Sequence, residues 1–399
     1  MKLDEGGNPV WRRFLGGTGS VGPAVTAVGR DGAVYVAGLF TGVTDLDPGS
    51  GSDVHDGGLS GGFHSDIFLI KLTAGGEYVW GRTLSSGGSV ELYGAQTTPE
   101  GNVIINGSIQ ADLDLDPGPG TDRIAAASGR GFLLELAPDG SRVWSRQVML
   151  INDMNNPAFE MSVGADGAIV YGGQFMDTVD LDPTPGVEMH TSAGKMDPFV
   201  VKLNAAGDFQ WARQVGSANV ENGFAVVDRA GNVYLGGIFL DPFRPDPLAP
   251  ELTVRGNLGT GSFLIQYDRD GTYRWSFSLA GDNDITTRRG VAVPTGGIVV
   301  AGSYAGNANF DPVGDHVIYS RGLTCYYMHV TPEGRLGWVK VVGGQAHATT
   351  RQRLAAIPWG GVVIGDEFRS TVDFDPGPGV DERTSDYEID GYVLMLGKY

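Results

Sequence analysis

The strongest chemical signal in the chain is an aspartate–proline pair that recurs at one equivalent position in each of six repeats, at intervals of 64 to 69 residues. In four repeats, further carboxylates stand two residues upstream and six residues downstream of the pair, and in three of these another carboxylate begins a later apolar run. Carboxylates crowded into a short glycine-rich loop repel one another unless a hard cation bridges them. The spacing therefore predicts calcium, which is bound by oxygen ligands in loose geometry.

The candidate calcium ligands come from four repeats. They are Asp45, Asp47, Asp53 and Asp66 in the first, Asp114, Asp116 and Asp122 in the second, Asp180, Asp182, Glu188 and Asp197 in the third, and Asp373, Asp375, Asp381 and Asp390 in the sixth. The fourth and fifth repeats keep the pair at Asp246 and Asp311 but place Arg244 and Asn309 upstream. A pair retained without its acidic neighbour favours a turn-capping aspartate, with proline fixing the next φ angle. Capping and calcium binding can coexist.

Arginines form a second constellation. Arg289 and Arg353 share one column of the fifth and sixth repeats, Arg288 and Arg351 stand beside them, and Glu160 occupies the same column in the third. If this column faces a common channel, the arginines would form a positive mouth suited to a carboxylate or an anionic sugar. The favoured alternative is salt bridging to neighbouring acidic loops.

Other chemistry finds little support in the sequence. The six histidines are scattered, without the paired spacing of a zinc site. No phosphate-binding loop, nucleophile elbow or serine–histidine–aspartate order is present. We therefore predict no catalytic residues.

These residues must be positioned by a repeated strand pattern. In each repeat a turn glycine stands four residues before a tryptophan, as in Gly76 and Trp80, with an apolar run on either side. A second pair of apolar runs surrounds another turn glycine, such as Gly32, which lies 15 residues before its aspartate–proline. Each unit therefore has four strands, A to D, with tight A–B and C–D turns and a long B–C loop.

Four-stranded units repeated six times predict an all-β, six-bladed β-propeller of antiparallel blades, with an open solenoid as the alternative. The units are approximately residues 16–84, 85–148, 149–215, 216–280, 281–342 and 343–399 plus 1–15, within a single domain 1–399. The last apolar run matches a strand C and the chain opens on the end of a strand C and a strand D. We expect the N-terminal strand to complete the last blade.

The runs DGAVYVAGLF and AGNVYLGGIF, followed by FLIKL and a glycine turn, resemble the bacterial β-propeller repeats known as SBBP and the related NHL-type repeats. The resemblance spans the chain and rests on strand and turn geometry. It implies a propeller with an inner strand A and an extracellular or binding role. It implies no shared catalytic residues.

The composition limits the classes of partner that the chain is expected to bind. The formal net charge is −19, so nucleic acid and acidic membrane surfaces are disfavoured. Cys325 is the only cysteine, which excludes an internal disulfide framework. We expect a monomeric, non-catalytic, extracellular or cell-surface binding scaffold, its export signal trimmed, with a protein or glycan ligand on the loop face. The alternative is a lyase or hydrolase that acts on an acidic glycan or peptide at the central channel.

Overall fold

The computed structural model describes most of the chain. The described residues are 1–4, 6–58, 65–126, 131–148, 160–194, 196–216, 220–240, 242–245, 260–311, 314, 316–343, 352–357, 360–386 and 389–397. Within them the regular structure is β-strand, with no α-helix. None of these residues belongs to a helix long and apolar enough to cross a membrane.

The strands follow the repeat in chain order. The N-terminal hairpin and first unit contain β1 (Lys2–Leu3), β2 (Pro9–Trp11), β3 (Gly16–Gly17), β4 (Val21–Val28), β5 (Val34–Phe40), β6 (Val43–Asp45), β7 (Val54–Asp56), β8 (Asp66–Leu72) and β9 (Tyr78–Leu84). The second unit contains β10 (Val90–Thr97), β11 (Val103–Ile109), β12 (Leu113–Asp114), β13 (Arg123–Ile124), β14 (Gly131–Leu136) and β15 (Arg142–Val148). The third contains β16 (Glu160–Val163), β17 (Ile169–Phe175), β18 (Thr178–Asp180), β19 (Met189–Thr191), β20 (Asp197–Leu203) and β21 (Phe209–Gln214).

The second half of the chain repeats this order. The fourth unit contains β22 (Val220–Val227), β23 (Val233–Phe239), β24 (Gly261–Tyr267) and β25 (Tyr273–Gly281). The fifth contains β26 (Ile285–Ala292), β27 (Ile298–Asn309), β28 (Val317–Val330) and β29 (Leu336–Val342). The sixth contains β30 (Arg353–Ala356), β31 (Val362–Phe368), β32 (Thr371–Asp373), β33 (Glu382–Thr384) and β34 (Asp390–Leu396).

Each of the first five units is an antiparallel sheet of strands A to D, and the sixth is the three-stranded sheet β30-β31-β34. The first three form the separate sheets β4-β5-β8-β9, β10-β11-β14-β15 and β16-β17-β20-β21. The fourth and fifth units merge because the end of β25 pairs with the end of β27. The predicted all-β propeller of four-stranded antiparallel sheets is confirmed.

The B–C segments were expected to be loops, and several are small hairpins of their own. β6 pairs with β7, β12 with β13, β18 with β19 and β32 with β33, each through two or three residues. In the fifth unit the same hairpin is fused with the main sheet, since the long strands β27 and β28 stay paired from Ile298 to Asn309. In the first, second, third, fifth and sixth units the aspartate of the pair therefore lies in the turn of a second hairpin.

The repeated tryptophan fills the junction between successive units, as Trp80 shows. Trp80 Nε1 donates a hydrogen bond to the Pro138 carbonyl of the next unit at 2.9 Å, and Arg82 lies over the Trp80 ring with Cζ 5.3 Å from the ring centre. Arg82 Nε donates to the Gly140 carbonyl at 3.1 Å. Gly140 has a φ of 81°, and a Cβ there would lie 2.9 Å from Arg82 Nε. Glycine is thus required both by the turn and by the neighbour.

Five apolar cores join consecutive units. The core between the first two contains Leu69 and Ile105, and the next contains Leu133 and Tyr171. The remaining three join units three to four, four to five and five to six. Each core is built from the face of one sheet and the opposite face of the next, so the sheets stack face to face around the molecule.

The junction between the sixth and first units differs from the prediction. Within the described residues, β34 pairs with β31 alone and β2 pairs with β1 alone. The expected completion of the last blade by the N-terminal strand is therefore not seen. β1 is itself a short copy of strand C, because Leu3 pairs with Pro9 as Leu72 pairs with Tyr78. It occupies the position beside β2 that β34 would need.

This junction leaves one face of the sixth unit uncovered. Val393 in β34 is 72% exposed, whereas the residues in its column of the other units are at most 3% exposed. Those residues are Leu69, Leu133, Val200, Leu264 and Tyr327. The facing side of the first unit is covered by the N-terminal segment, with Trp11 and Leu15 packed on Phe68 and Ile70.

Candidate functional site

A central cavity of about 560 Å³ is enclosed by strand A of all six units. Its wall includes residues of β4, β10, β16, β22, β26 and β30. Most of these residues are aliphatic or glycine, and the charged ones are Glu160, Arg289 and Arg353. The structure therefore gathers three of the five predicted binding residues in one space, from the third, fifth and sixth units.

Strand geometry explains why these three meet. Glu160 pairs with Gly172, Arg289 with Ala301 and Arg353 with Gly365, which are equivalent positions on strand B of their units. In the fifth unit the register shifts between Thr287 and Arg289, so Arg288 is the extra residue of a β-bulge. The residues that align in the sequence repeats thus occupy equivalent positions in the structure.

Glu160 and Arg289 form an ion pair across the cavity, with the Arg289 guanidinium donating to Oε1 of Glu160. Only about a fifth of each side chain is exposed, at 19% and 22%. Burial raises the pKa of Glu160, and the positive charges of Arg289 and Arg353 act against this rise. The two arginines thus favour the charged carboxylate, which burial disfavours.

Positive charge exceeds negative charge at this site. Burial lowers the pKa of Arg288 and of Arg353, and repulsion from Arg289 lowers both further. The acidic partner of this group within the described residues is Glu160, and its hydrogen bond goes to Arg289. Both remaining arginines stay charged at neutral pH, because the shift starts from the very high intrinsic pKa of guanidinium. Arg351 was predicted to join them and lies outside the described residues.

The aspartates upstream of each pair act as backbone acceptors. Oδ1 of Asp45 accepts hydrogen bonds from the amides of Asp47 at 3.0 Å and Asp53 at 2.8 Å. The same two bonds recur at Asp114, Asp180 and Asp373. Asn309 does the same in the fifth unit through its Oδ1. The aspartate of the pair adds an Asx-turn, since Asp47 Oδ1 accepts from the Gly49 amide at 2.7 Å.

The downstream carboxylates turn away from this centre. Asp53 accepts from the Tyr78 hydroxyl on strand D and lies 3.1 Å from Nε2 of His55. Asp122 pairs with Arg142 at 3.1 Å in the second unit. Glu188 approaches His190 in the third, and Asp381 approaches Arg383 in the sixth. Each third carboxylate therefore has a partner of its own.

The aspartates that begin strand C also accept hydrogen bonds from backbone amides. Asp66 accepts from the Ser86 amide, Asp197 from the Ala193 amide and Asp390 from the Asp386 amide, at 2.8 to 2.9 Å. Across the described residues, no group of three or more histidine, cysteine, aspartate or glutamate side chains is arranged to hold a metal ion. The geometry thus accounts for these carboxylates as turn and strand caps, and calcium binding stays a prediction.

The sequence analysis did not identify two arginines that lie beside the central cavity, on the side of the tight A–B turns. Arg30 and Arg229 lie in the A–B turns of the first and fourth units and line a smaller cavity there. Their signal was available, since each stands two residues before its turn glycine, Gly32 or Gly231. It was missed because turn arginines are common on protein surfaces and nothing in one sequence shows which turns meet.

Comparison with known proteins gives a distant repeat relative. No protein-family model matches the chain. An uncharacterised WD repeat-containing protein of Acanthamoeba polyphaga mimivirus is 22% identical over 252 residues, which cover 54% of this chain and 18% of that protein. The chain thus spans less than a fifth of the length of that relative. The match agrees with a propeller built from repeated blades.

Two crystal structures are similar at low level. A protein of unknown function from Dyadobacter fermentans matches 82% of this chain and 98% of its own, with 12% identity and a TM-score of 0.33. A protein of unknown function from Bacteroides caccae matches 65% of this chain and 82% of its own, with 12% identity and a TM-score of 0.26.

Proposed function

We propose that this chain is a non-catalytic binding propeller whose central cavity takes an anionic ligand. The observation that carries the proposal is the meeting of Arg289, Arg353 and Glu160 in the cavity, with more guanidinium than carboxylate charge. Two guanidinium groups share one carboxylate in the cavity, and Arg353 is exposed, so a ligand carboxylate can reach and balance the excess positive charge. Guanidinium also binds carboxylate through two parallel hydrogen bonds.

The surrounding charge makes the cavity selective. The whole chain carries a net charge of −19, so its outer surface repels anions in general. An anion that reaches the central cavity meets Arg289 and Arg353 there, with Glu160 as the one acidic residue among the described lining residues. Glu160 limits the strength of the site, because it already neutralises Arg289.

Binding of N-acetylglutamate, measured by isothermal titration calorimetry at low salt, tests the proposal. We expect Arg353→Gln to weaken binding about tenfold, which corresponds to about 1.4 kcal/mol. Glu160→Gln should tighten binding, because it removes the carboxylate that competes for Arg289. Two changes of opposite sign in one cavity separate a site effect from general loss of structure.

Arg383→Gln supplies the matched control. Arg383 is also an arginine paired with a carboxylate, Asp381, but it lies on the outer hairpin and its side chain is 67% exposed. We expect no change in affinity for this variant. Equal affinities of the wild type and the Arg353→Gln and Glu160→Gln variants would exclude the cavity as the site.

Three further expectations belong to the same proposal. Membership of the SBBP or NHL-type repeat families and an extracellular location rest on the resemblance of the strand and turn pattern. Presentation of a protein or glycan ligand by the B–C segments rests on their variable length between repeats. Calcium binding there rests on the number of carboxylates alone.

A further inference from the structure

The channel continues beyond the central cavity toward the face of the tight A–B turns. A second cavity of about 260 Å³ is lined by the A–B turns of the first five units. Val163, Val227 and Ala292 line both cavities, so the two spaces adjoin. A ligand longer than a single carboxylate can therefore extend from one into the other.

Arg30 and Arg229 bring positive charge to this second cavity. They occupy the same turn position in the first and fourth units of the ring. Neither arginine forms an ion pair with the aspartate next to it in the chain, which is Asp31 or Asp228. Asp31 accepts from the Ala33 amide at 3.0 Å. Asp228 accepts from the amides of Ala230 and Asn232, both at 2.9 Å.

Both arginines are thus available to a ligand. Neither makes a hydrogen bond or an ion pair with another described residue. Both are exposed to solvent at the mouth. The channel consequently has arginines at two levels, Arg289 and Arg353 in the central cavity and Arg30 and Arg229 at the tight-turn mouth.

The channel wall also offers backbone groups. Strand A of each unit lies at the end of its sheet and pairs on one side only, as β4, β10, β16 and β30 do. Some edge groups are already bound by neighbours, since Gln96 donates to the Met161 carbonyl and accepts from the Val163 amide. An extended peptide can add to an exposed edge strand of a sheet by main-chain hydrogen bonds. A carbohydrate chain has no matching backbone.

We propose that the channel binds an extended acidic peptide, whose carboxylates reach Arg289 and Arg353 in the central cavity and Arg30 and Arg229 at the tight-turn mouth. This inference rests on the proposed function and extends it by naming the ligand class and a second set of binding residues. The spacing of charges along the channel selects a chain with several carboxylates over a single small anion.

Fluorescence anisotropy with a labelled oligoglutamate peptide, beside calorimetry with N-acetylglutamate, tests the inference. We expect the double variant Arg30→Gln/Arg229→Gln to weaken oligoglutamate binding about tenfold and to leave N-acetylglutamate binding unchanged. Arg289→Gln/Arg353→Gln should weaken both ligands. Arg383→Gln should weaken neither, and melting curves of all variants verify that they remain folded.

The outcomes separate the two levels of proposal. Unchanged oligoglutamate binding in the Arg30→Gln/Arg229→Gln variant overturns the second site, while the central site stands. Unchanged N-acetylglutamate binding in the Arg289→Gln/Arg353→Gln variant overturns the proposed function itself. An oligogalacturonate of equal charge that binds as tightly as oligoglutamate overturns the choice of a peptide, because it has the carboxylates without the main-chain amides.

Discussion

At the scale of single residues, the upstream acid of each repeat is first of all a hydrogen-bond acceptor. Asp180 Oδ1 accepts from the amides of Asp182 at 3.1 Å and Glu188 at 2.8 Å. Asn309 makes the equivalent pair of bonds with a neutral amide oxygen, both at 3.0 Å. The shared requirement is therefore an oxygen at this place, and a negative charge is not needed to close the turn.

Substitution of Asp180 separates capping from charge. We expect Asp180→Asn to change the free energy of unfolding by less than about 0.5 kcal/mol, because the acceptor oxygen is kept. Asp180→Ala should lose about 1 to 3 kcal/mol, since two partly buried amides then lack a partner. Denaturant unfolding without added calcium measures both. A loss for Asp180→Asn as large as that for Asp180→Ala would contradict the capping role and indicate that the charge itself matters.

The capping role could be read from the sequence, but the direction of the third carboxylates could not. Retention of the pair beside Asn309 already argued for a backbone function. Asp53, by contrast, turns toward Tyr78 on strand D, which lies 25 residues later in the chain. Which neighbour a side chain meets depends on how hairpin and sheet pack, and spacing within one loop carries no information about that contact.

At the scale of elements, the main sheets were predictable and the small hairpins were not. Turn glycines and long apolar runs identify strands such as β5 and β8. Strands of two or three residues, such as β6 and β12, are too short to show the alternation of buried and exposed side chains. The strand pairing at the junction of the first and sixth units was not predicted for another reason. The repeat pattern predicted that the N-terminal strand would complete the last blade, but it could not show that β1 would take the place beside β2 that β34 needs.

The uncovered face of the sixth unit gives a matched pair of valines. Val200 and Val393 hold the same position on strand C, yet Val200 is 0% exposed and Val393 is 72% exposed. We expect Val200→Ala to cost about 2 kcal/mol, because two buried methyl groups are lost. Val393→Ala should change stability by less than about 0.5 kcal/mol. Chemical denaturation of the two variants is the measurement. A comparable loss at Val393 would show that another surface covers this face in solution.

At the scale of the whole molecule, charge is distributed unevenly between the outside and the channel. The chain contains 47 acidic residues against 28 lysines and arginines. The sequence revealed the column shared by Arg289, Arg353 and Glu160, because the repeats can be aligned. It could not show that Arg30 and Arg229 line one cavity, since that depends on the ring bringing the first and fourth units to the same channel. Topology, rather than any motif, unites these residues.

The net charge of −19 also predicts how salts act on stability. Self-repulsion destabilises the compact state, so sodium chloride should raise the melting temperature by a few degrees as it screens the charges. The calcium hypothesis requires a further rise in calcium chloride at the same ionic strength, reversed by a chelator. A fourfold variant tests this requirement: it combines Asp45→Asn, Asp114→Asn, Asp180→Asn and Asp373→Asn. Each asparagine keeps an oxygen that can accept the two amide hydrogen bonds, as Asn309 does, while four candidate carboxylate ligands are removed. If the loops bind calcium, this variant should lose the additional rise in melting temperature in calcium chloride but keep the rise in sodium chloride. Identical melting temperatures of the wild type in the two salts would rule out calcium binding by the loops.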